Sequence, residues 1–181
     1  MMDINKTIRT LLCAICMTAM PAMAQNVALK TNTLYYATAT PNLAVEIGLD
    51  DQWTLDIGAA YKPFKLNDEH YARFWFAQPE ARYWFCEKFE GHFVGLHAHG
   101  GQFYCGWDDT IYDGYLAGAG ISYGYDWILS PHWNLEATIG VGFAHLWYDE
   151  MPNAPCVKCK EPDTYNYVGV TRLGLTFSYI F

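Results

Sequence analysis

Serine is almost missing from this sequence: 181 residues contain only Ser122, Ser130 and Ser178. A serine triad, which needs its hydroxyl beside a histidine and a carboxylate, has little to draw on. Charge is scarce too. Asp, Glu, Lys and Arg make up 17% of the chain, against about a quarter in ordinary domains. Basic residues are the scarcer kind, 11 against 19 acidic, for a net charge of -8. Nucleic-acid binders display a basic patch, so no nucleic-acid partner is expected. Beyond residue 24 no long apolar run occurs, which excludes a chain crossing a membrane by helices.

The one apolar block opens the chain. Lys6 and Arg9 precede TLLCAICMTAM, and Pro21 leads into a small-residue site before Gln25. A basic start, a short apolar stretch and a small-x-small end form a cleavable export signal. The sequence thus predicts a signal peptide over 1–24 and a single domain over 25–181. Leu12 and Ile15 precede Cys13 and Cys16, where a lipidated cysteine needs a small residue, so a lipoprotein is not expected.

What is abundant is aromatic: 14 Tyr, 10 Phe and 7 Trp. They fall on alternating segments. From Trp133 one face reads Trp133, Leu135, Ala137, Ile139, Val141, Phe143, and the other carries Asn134, Glu136, Thr138 and glycines. Alternation of this kind marks β-strands with two unlike faces. Eight such strands are expected, at 26–36, 42–49, 53–61, 74–84, 92–104, 115–127, 133–147 and 165–181. In the last, Tyr165, Tyr167, Gly169 and Thr171 share the apolar face with Leu173, while Val168, Val170 and Arg172 share the other. Short connections (49–52, 86–91, 128–132) alternate with long ones (62–73, 105–114, 148–164), although ATATP at 37–41 is short.

Strands of about ten residues with short and long turns in alternation signify an outer-membrane barrel. Trp53, Trp84, Trp127, Trp133, Tyr179 and Phe181 are placed in an inner aromatic girdle, and Tyr61, Tyr115, Trp147 and Tyr165 in an outer one. The fold class is all-β: an eight-stranded antiparallel transmembrane β-barrel with filled interior, in the outer membrane of a Gram-negative bacterium. A lipocalin-like soluble barrel, with apolar residues inward, fits these faces less well.

The chain ends RLGLTFSYIF. Arg172-x-Gly174-x-x-Phe177-x-Tyr179, followed by Phe181, resembles the C-terminal β-signal read by the outer-membrane insertion machinery. The stretches KTNTLYYATATPNLAVEIGL, QPEARYWFCEKFEGHFVGLHAHGGQ and GAGISYGYDWILSPHWNLEATIGVG, with the final aromatic strand, resemble a family of uncharacterised Bacteroides-type outer-membrane barrel proteins. That family is a domain of unknown function, often encoded near fimbrial subunits. The resemblance implies a barrel and a surface-assembly context, and supplies no catalytic residue.

The face opposite the apolar one carries Lys30, Glu46, Asp56, Glu80, Arg82, Glu136 and Arg172. An eight-stranded barrel is filled by its own side chains, and buried charges must be paired. These seven are therefore expected to form an interior network, with Glu46 and Glu136 facing Arg172. His97 and His99 share a strand face and could bind zinc, but a third ligand is not evident, so a hydrogen-bonded structural pair is preferred. Cys156 and Cys159 are read first as a disulfide stapling a loop, and second as half of a metal site. Asp108-Asp109 is read as an acidic solvated loop in preference to a protease pair. No cofactor is expected. The expected role is structural, anchoring or surface-interacting, with membrane lipid, the insertion machinery and a surface or fimbrial protein as partners. The alternative is a small lipid-modifying enzyme with its site at the outer rim.

Overall fold

The computed structural model describes residues 26–63, 71–107, 110–152 and 161–181. The signal segment, Asp108-Asp109, Cys156 and Cys159 lie outside the described residues. Eight antiparallel strands follow in order: β1 (Val27–Asn32), β2 (Asn42–Gly48), β3 (Trp53–Lys62), β4 (Tyr71–Trp84), β5 (Gly91–Trp107), β6 (Thr110–Ser130), β7 (Trp133–Pro152) and β8 (Glu161–Ile180). Each pairs with its neighbour in sequence, and β8 returns to pair with β1, so the sheet closes into a barrel.

Closure explains the aromatic terminus. Ala28 pairs with Ile180 and Asn32 with Thr176, and the Phe181 amide donates to the Val27 carbonyl at 3.1 Å. The final residues are therefore part of a wall.

Several boundaries differ from the sequence reading. β1 stops at Asn32 instead of running to 36, and Thr33–Thr38 forms a 3-10 turn. Asn32 takes over the ladder where the β1 backbone leaves it: its side-chain amide donates to the Leu173 carbonyl and its oxygen accepts from the Leu175 amide. At the mouth opposite the termini, β5 continues to Trp107 and β6 begins at Thr110, paired directly across. The long loop expected at 105–114 is thus mostly sheet, and β7 and β8 extend similarly.

β8 also contains a bulge. Gly140 pairs with Arg172 but Val141 pairs with Val170, leaving Thr171 as an extra residue. A bulge shifts the alternation by one residue. Thr171 and Arg172 both turn inward, so Val168 and Val170 face outward, 80% and 51% exposed. The expected faces are reversed above Thr171. Tyr165 and Tyr167 now line the interior near the mouth, so Tyr165 does not belong to an outer girdle.

Outside, apolar side chains form a belt. Leu43, Ile57, Leu96, Ile121, Ile139 and Leu173 are all largely exposed. Trp53, Trp127 and Trp133 lie toward the termini end, and Tyr61, Tyr115 and Trp147 toward the mouth, each about half exposed. Along β6 the aromatic pair Tyr115 and Trp127 spans a dozen residues, roughly 30 Å for a strand tilted about 40°.

Candidate functional site

The interior is layered along the barrel axis. At the termini end it is closed by Trp84, Phe89, Phe93 and Ala28, all buried. Trp84 was placed in a girdle by its residue type, yet it shares the parity of Glu80 and Arg82 and points inward. Its ring stacks at a tilt on Phe93, with 4.7 Å between centroids. Its indole donates to the Thr54 hydroxyl at 2.9 Å. Phe89 reaches the interior from the β4–β5 turn through a left-handed backbone, φ 64°. Its carbonyl accepts from the Asn134 amide at 2.7 Å. The turn is a plug as well as a connection.

The charges lie directly above. Arg82, which has no exposed surface, is the hub. Its nitrogens reach Glu80 at 2.6 Å, Asp56 at 2.8 Å, Glu136 at 2.8 Å and Glu46 at 2.9 Å. Lys30 bridges Glu46 and Glu136 at 2.6 and 2.5 Å. Arg172 meets Asp56 at 2.7 Å and Glu80 at 3.3 Å. The seven charges thus come together, but the partners of Arg172 are not the expected Glu46 and Glu136. Those two acids hold Lys30 and Arg82.

Hydroxyls complete the shell. Thr54 donates to Glu46 and Thr138 to Glu136, each at 2.5 Å, and Ser122 donates to Glu80. The guanidinium carbon of Arg82 lies 4.4 Å from the Phe93 ring centre, which joins the ionic layer to the aromatic plug. Such a cluster costs desolvation and is held by geometry and added hydrogen bonds. Asp126 alternates with Ser122 and Gly124 on the polar face of β6 but is not among the seven charges expected in the network. It is buried, and its Oδ1 has no hydrogen-bond partner.

His97 and His99 lie above the charges, with 5.7 Å between rings. His97 Nε2 shares a hydrogen bond of 2.9 Å with Thr171, and its Nδ1 lies 3.8 Å from Glu80. Among the described residues no three His, Cys, Asp or Glu side chains form a metal-ligand group. Cys86 is exposed in the β4–β5 turn and Cys105 is partly buried on β5, both as free thiols.

The top layer corrects the expectation of a filled interior. Toward the mouth the barrel holds a cavity of about 420 Å³, lined by the 3-10 turn and β4–β8. A smaller one of about 50 Å³ sits over Lys30, Asp56 and Arg172. Tyr35 and Phe76 border both cavities. They meet edge to face at 5.7 Å and separate the two.

Of the residues expected to form an insertion signal, Gly174 lies near the Asn32 side chain. Phe177 faces outward, and Tyr179 packs edge-on against both Trp133 and Phe181 at 5.1 Å.

A closed antiparallel barrel with a charged core and an apolar exterior is the class these features define. Within that class, the chain belongs to the family described as "Protein of unknown function (DUF3575)", which matches residues 8–181. No curated protein and no solved structure matches it.

Proposed function

We propose that this chain is a transmembrane barrel of the Gram-negative outer membrane, exported through a cleaved signal peptide, that serves as a non-catalytic anchor or surface-interaction protein. The inverted distribution of polarity carries this reading. Lys30, Glu46, Asp56, Arg82 and Glu136 are buried, while Leu96, Ile121, Ile139, Val168 and Leu173 are more than half exposed. In water such a belt would be a large association-prone surface; in a bilayer it is the lipid-facing band of a barrel. The termini and the turns at 49–52, 85–90 and 131–132 would face the periplasm.

The outer ends of β5–β8 extend past Tyr115 and Trp147 and carry Asp113, Glu150, Glu161 and Asp163. This projecting sheet is the surface offered to a partner, and the resemblance to fimbria-linked barrels from Bacteroides makes a fimbrial or other surface protein the partner class. Fractionation tests the reading. The chain should sediment with outer membranes, resist alkaline extraction and migrate differently before and after boiling. Recovery as a soluble periplasmic protein would overturn it.

A further inference from the structure

The large cavity near the mouth differs from everything beneath it. Among the described residues no Asp, Glu, Lys or Arg lines it, although a layer of seven charges lies just below. Its walls are the rings of Phe74, Phe76, Phe103 and Tyr165 and the side chains of Leu116 and Leu146. Several polar groups among its lining residues are engaged with the protein, whereas the His99 Nδ1 is buried without a hydrogen-bond partner. Gln78 donates to the Thr171 carbonyl at 3.3 Å, and Thr171 is bonded to His97. Tyr167 donates to the Val170 carbonyl at 3.2 Å, and Gln102 accepts from Trp75. What remains for a ligand is mostly aromatic faces and leucine methyls, with the His99 imidazole among them.

From this geometry we propose that the outer half of the barrel is a binding cup for one uncharged apolar chain, of the acyl or long-alkyl kind. Its volume lies within the range of small-ligand sites, about 300–1,000 Å³. An ionic group placed in it would be desolvated without a counter-charge. The Tyr35–Phe76 pair forms a floor that keeps the chain from the ionic layer. The walls also suggest how a chain arrives. Among the described residues β1, β2 and β3 contribute nothing to the lining, and Tyr35 of the 3-10 turn is the single contribution between β8 and β4. The described wall is therefore low on this side, where β1 ends at Asn32 while β8 runs on to Glu161. In the membrane setting proposed above, on which the side route rests, that gap faces the outer leaflet.

Photo-crosslinking of the whole barrel in lipid nanodiscs tests the cup and separates two sources of the chain. One probe is a phosphatidylcholine with a diazirine at the end of one acyl chain; the other is free hexadecanol bearing the same group. Adducts are mapped by mass spectrometry. The cup predicts adducts on Leu116 and Leu146, in addition to belt adducts on Leu96, Ile121 and Ile139. Ala144→Trp, which fills the cup, should cut the Leu116 adducts at least tenfold and spare the belt. If that variant does not fold, Leu146→Trp gives the same comparison. Cup labelling by hexadecanol alone means entry through the mouth, and labelling by both probes means entry from the bilayer as well; either supports the cup. Belt adducts without cup adducts, or cup adducts undiminished by both filling variants, would overturn it. Cup adducts without belt adducts would keep the cup and defeat the membrane reading. No adducts at all would defeat both.

Discussion

Arg82 grips Glu136 through both terminal nitrogens, at 2.8 and 3.2 Å, in the centre of the barrel. The same guanidinium holds Glu46, Asp56 and Glu80. Arg82→Met would leave four buried acids to Lys30 and Arg172. Breaking one side of a buried ionic group typically costs about 3–5 kcal/mol, and this hub serves more partners than a simple pair. Thermal unfolding in detergent should show a large drop for Arg82→Met. A variant that melts with the parent would mean that the cluster contributes no net stability.

Arg172→Met should cost less. Its side chain keeps some exposure, and its partners Asp56 and Glu80 retain Arg82 at 2.8 and 2.6 Å. A loss of about 1–3 kcal/mol, that of a charge-assisted hydrogen bond, is expected. The position of Arg172 also specifies the rescue. Asp56→Asn should recover part of the loss, whereas Glu46→Gln should not. Recovery by Glu46→Gln instead would place Arg172 against the wrong acids.

Much of this architecture was legible in the alternation of residues, and the failures have identifiable causes. Lys30, Glu46, Asp56, Glu80, Arg82, Glu136 and Arg172 were all assigned to one face, because burying a charge selects the register strongly. Trp84 has the residue type of a girdle but the parity of the interior. Two residues beyond Arg82, it had to point inward. The bulge left no sign, since Thr171 fits either face and the chain on each side still alternates. The strand ends at the mouth read as loops in sequence because Tyr112, Asp113 and Asp149 break the apolar pattern; the ladder that pairs them lies above the belt. The cup could not be foreseen, because it depends on β1 stopping at Asn32 and on Tyr165 and Tyr167 turning inward.

Two glycines give a paired test of interior packing. A Cβ at Gly95 would run into the Glu80 carboxylate and the Ser122 hydroxyl that donates to it. At Gly58 the nearest atoms are Ala44 Cβ at 3.5 Å and the Gln78 carbonyl at 3.9 Å, ordinary contact distances. Gly95→Ala should therefore destabilise by about 1–3 kcal/mol, as overpacking does, and Gly58→Ala should be close to neutral. Equal melting temperatures for the two variants would contradict the packing around Glu80.

Orientation is checked at the β4–β5 turn. Cys86 is exposed there, on the same end of the barrel as both chain ends. A membrane-impermeant maleimide should leave Cys86 unmodified on intact cells and label it once the outer membrane is opened. Asp163→Cys, at the far end of β8, should be labelled on intact cells. Modification of Cys86 in intact cells would invert the topology.

Phe181 separates a folding signal from a folding interaction. Its ring is half exposed and touches Tyr179 edge-on, while its structural hydrogen bond comes from the backbone amide to Val27. Phe181→Lys keeps that amide, so the folded barrel should lose little: surface changes away from caps and buried groups usually stay within about 0.5 kcal/mol. If the terminal aromatic is read by the insertion machinery, the variant should be scarce in the outer membrane and accumulate unassembled. The same protein, refolded in detergent, should melt near the parent temperature. Normal membrane levels of Phe181→Lys would remove the signal role, and a large fall in melting temperature would assign the residue to the wall itself.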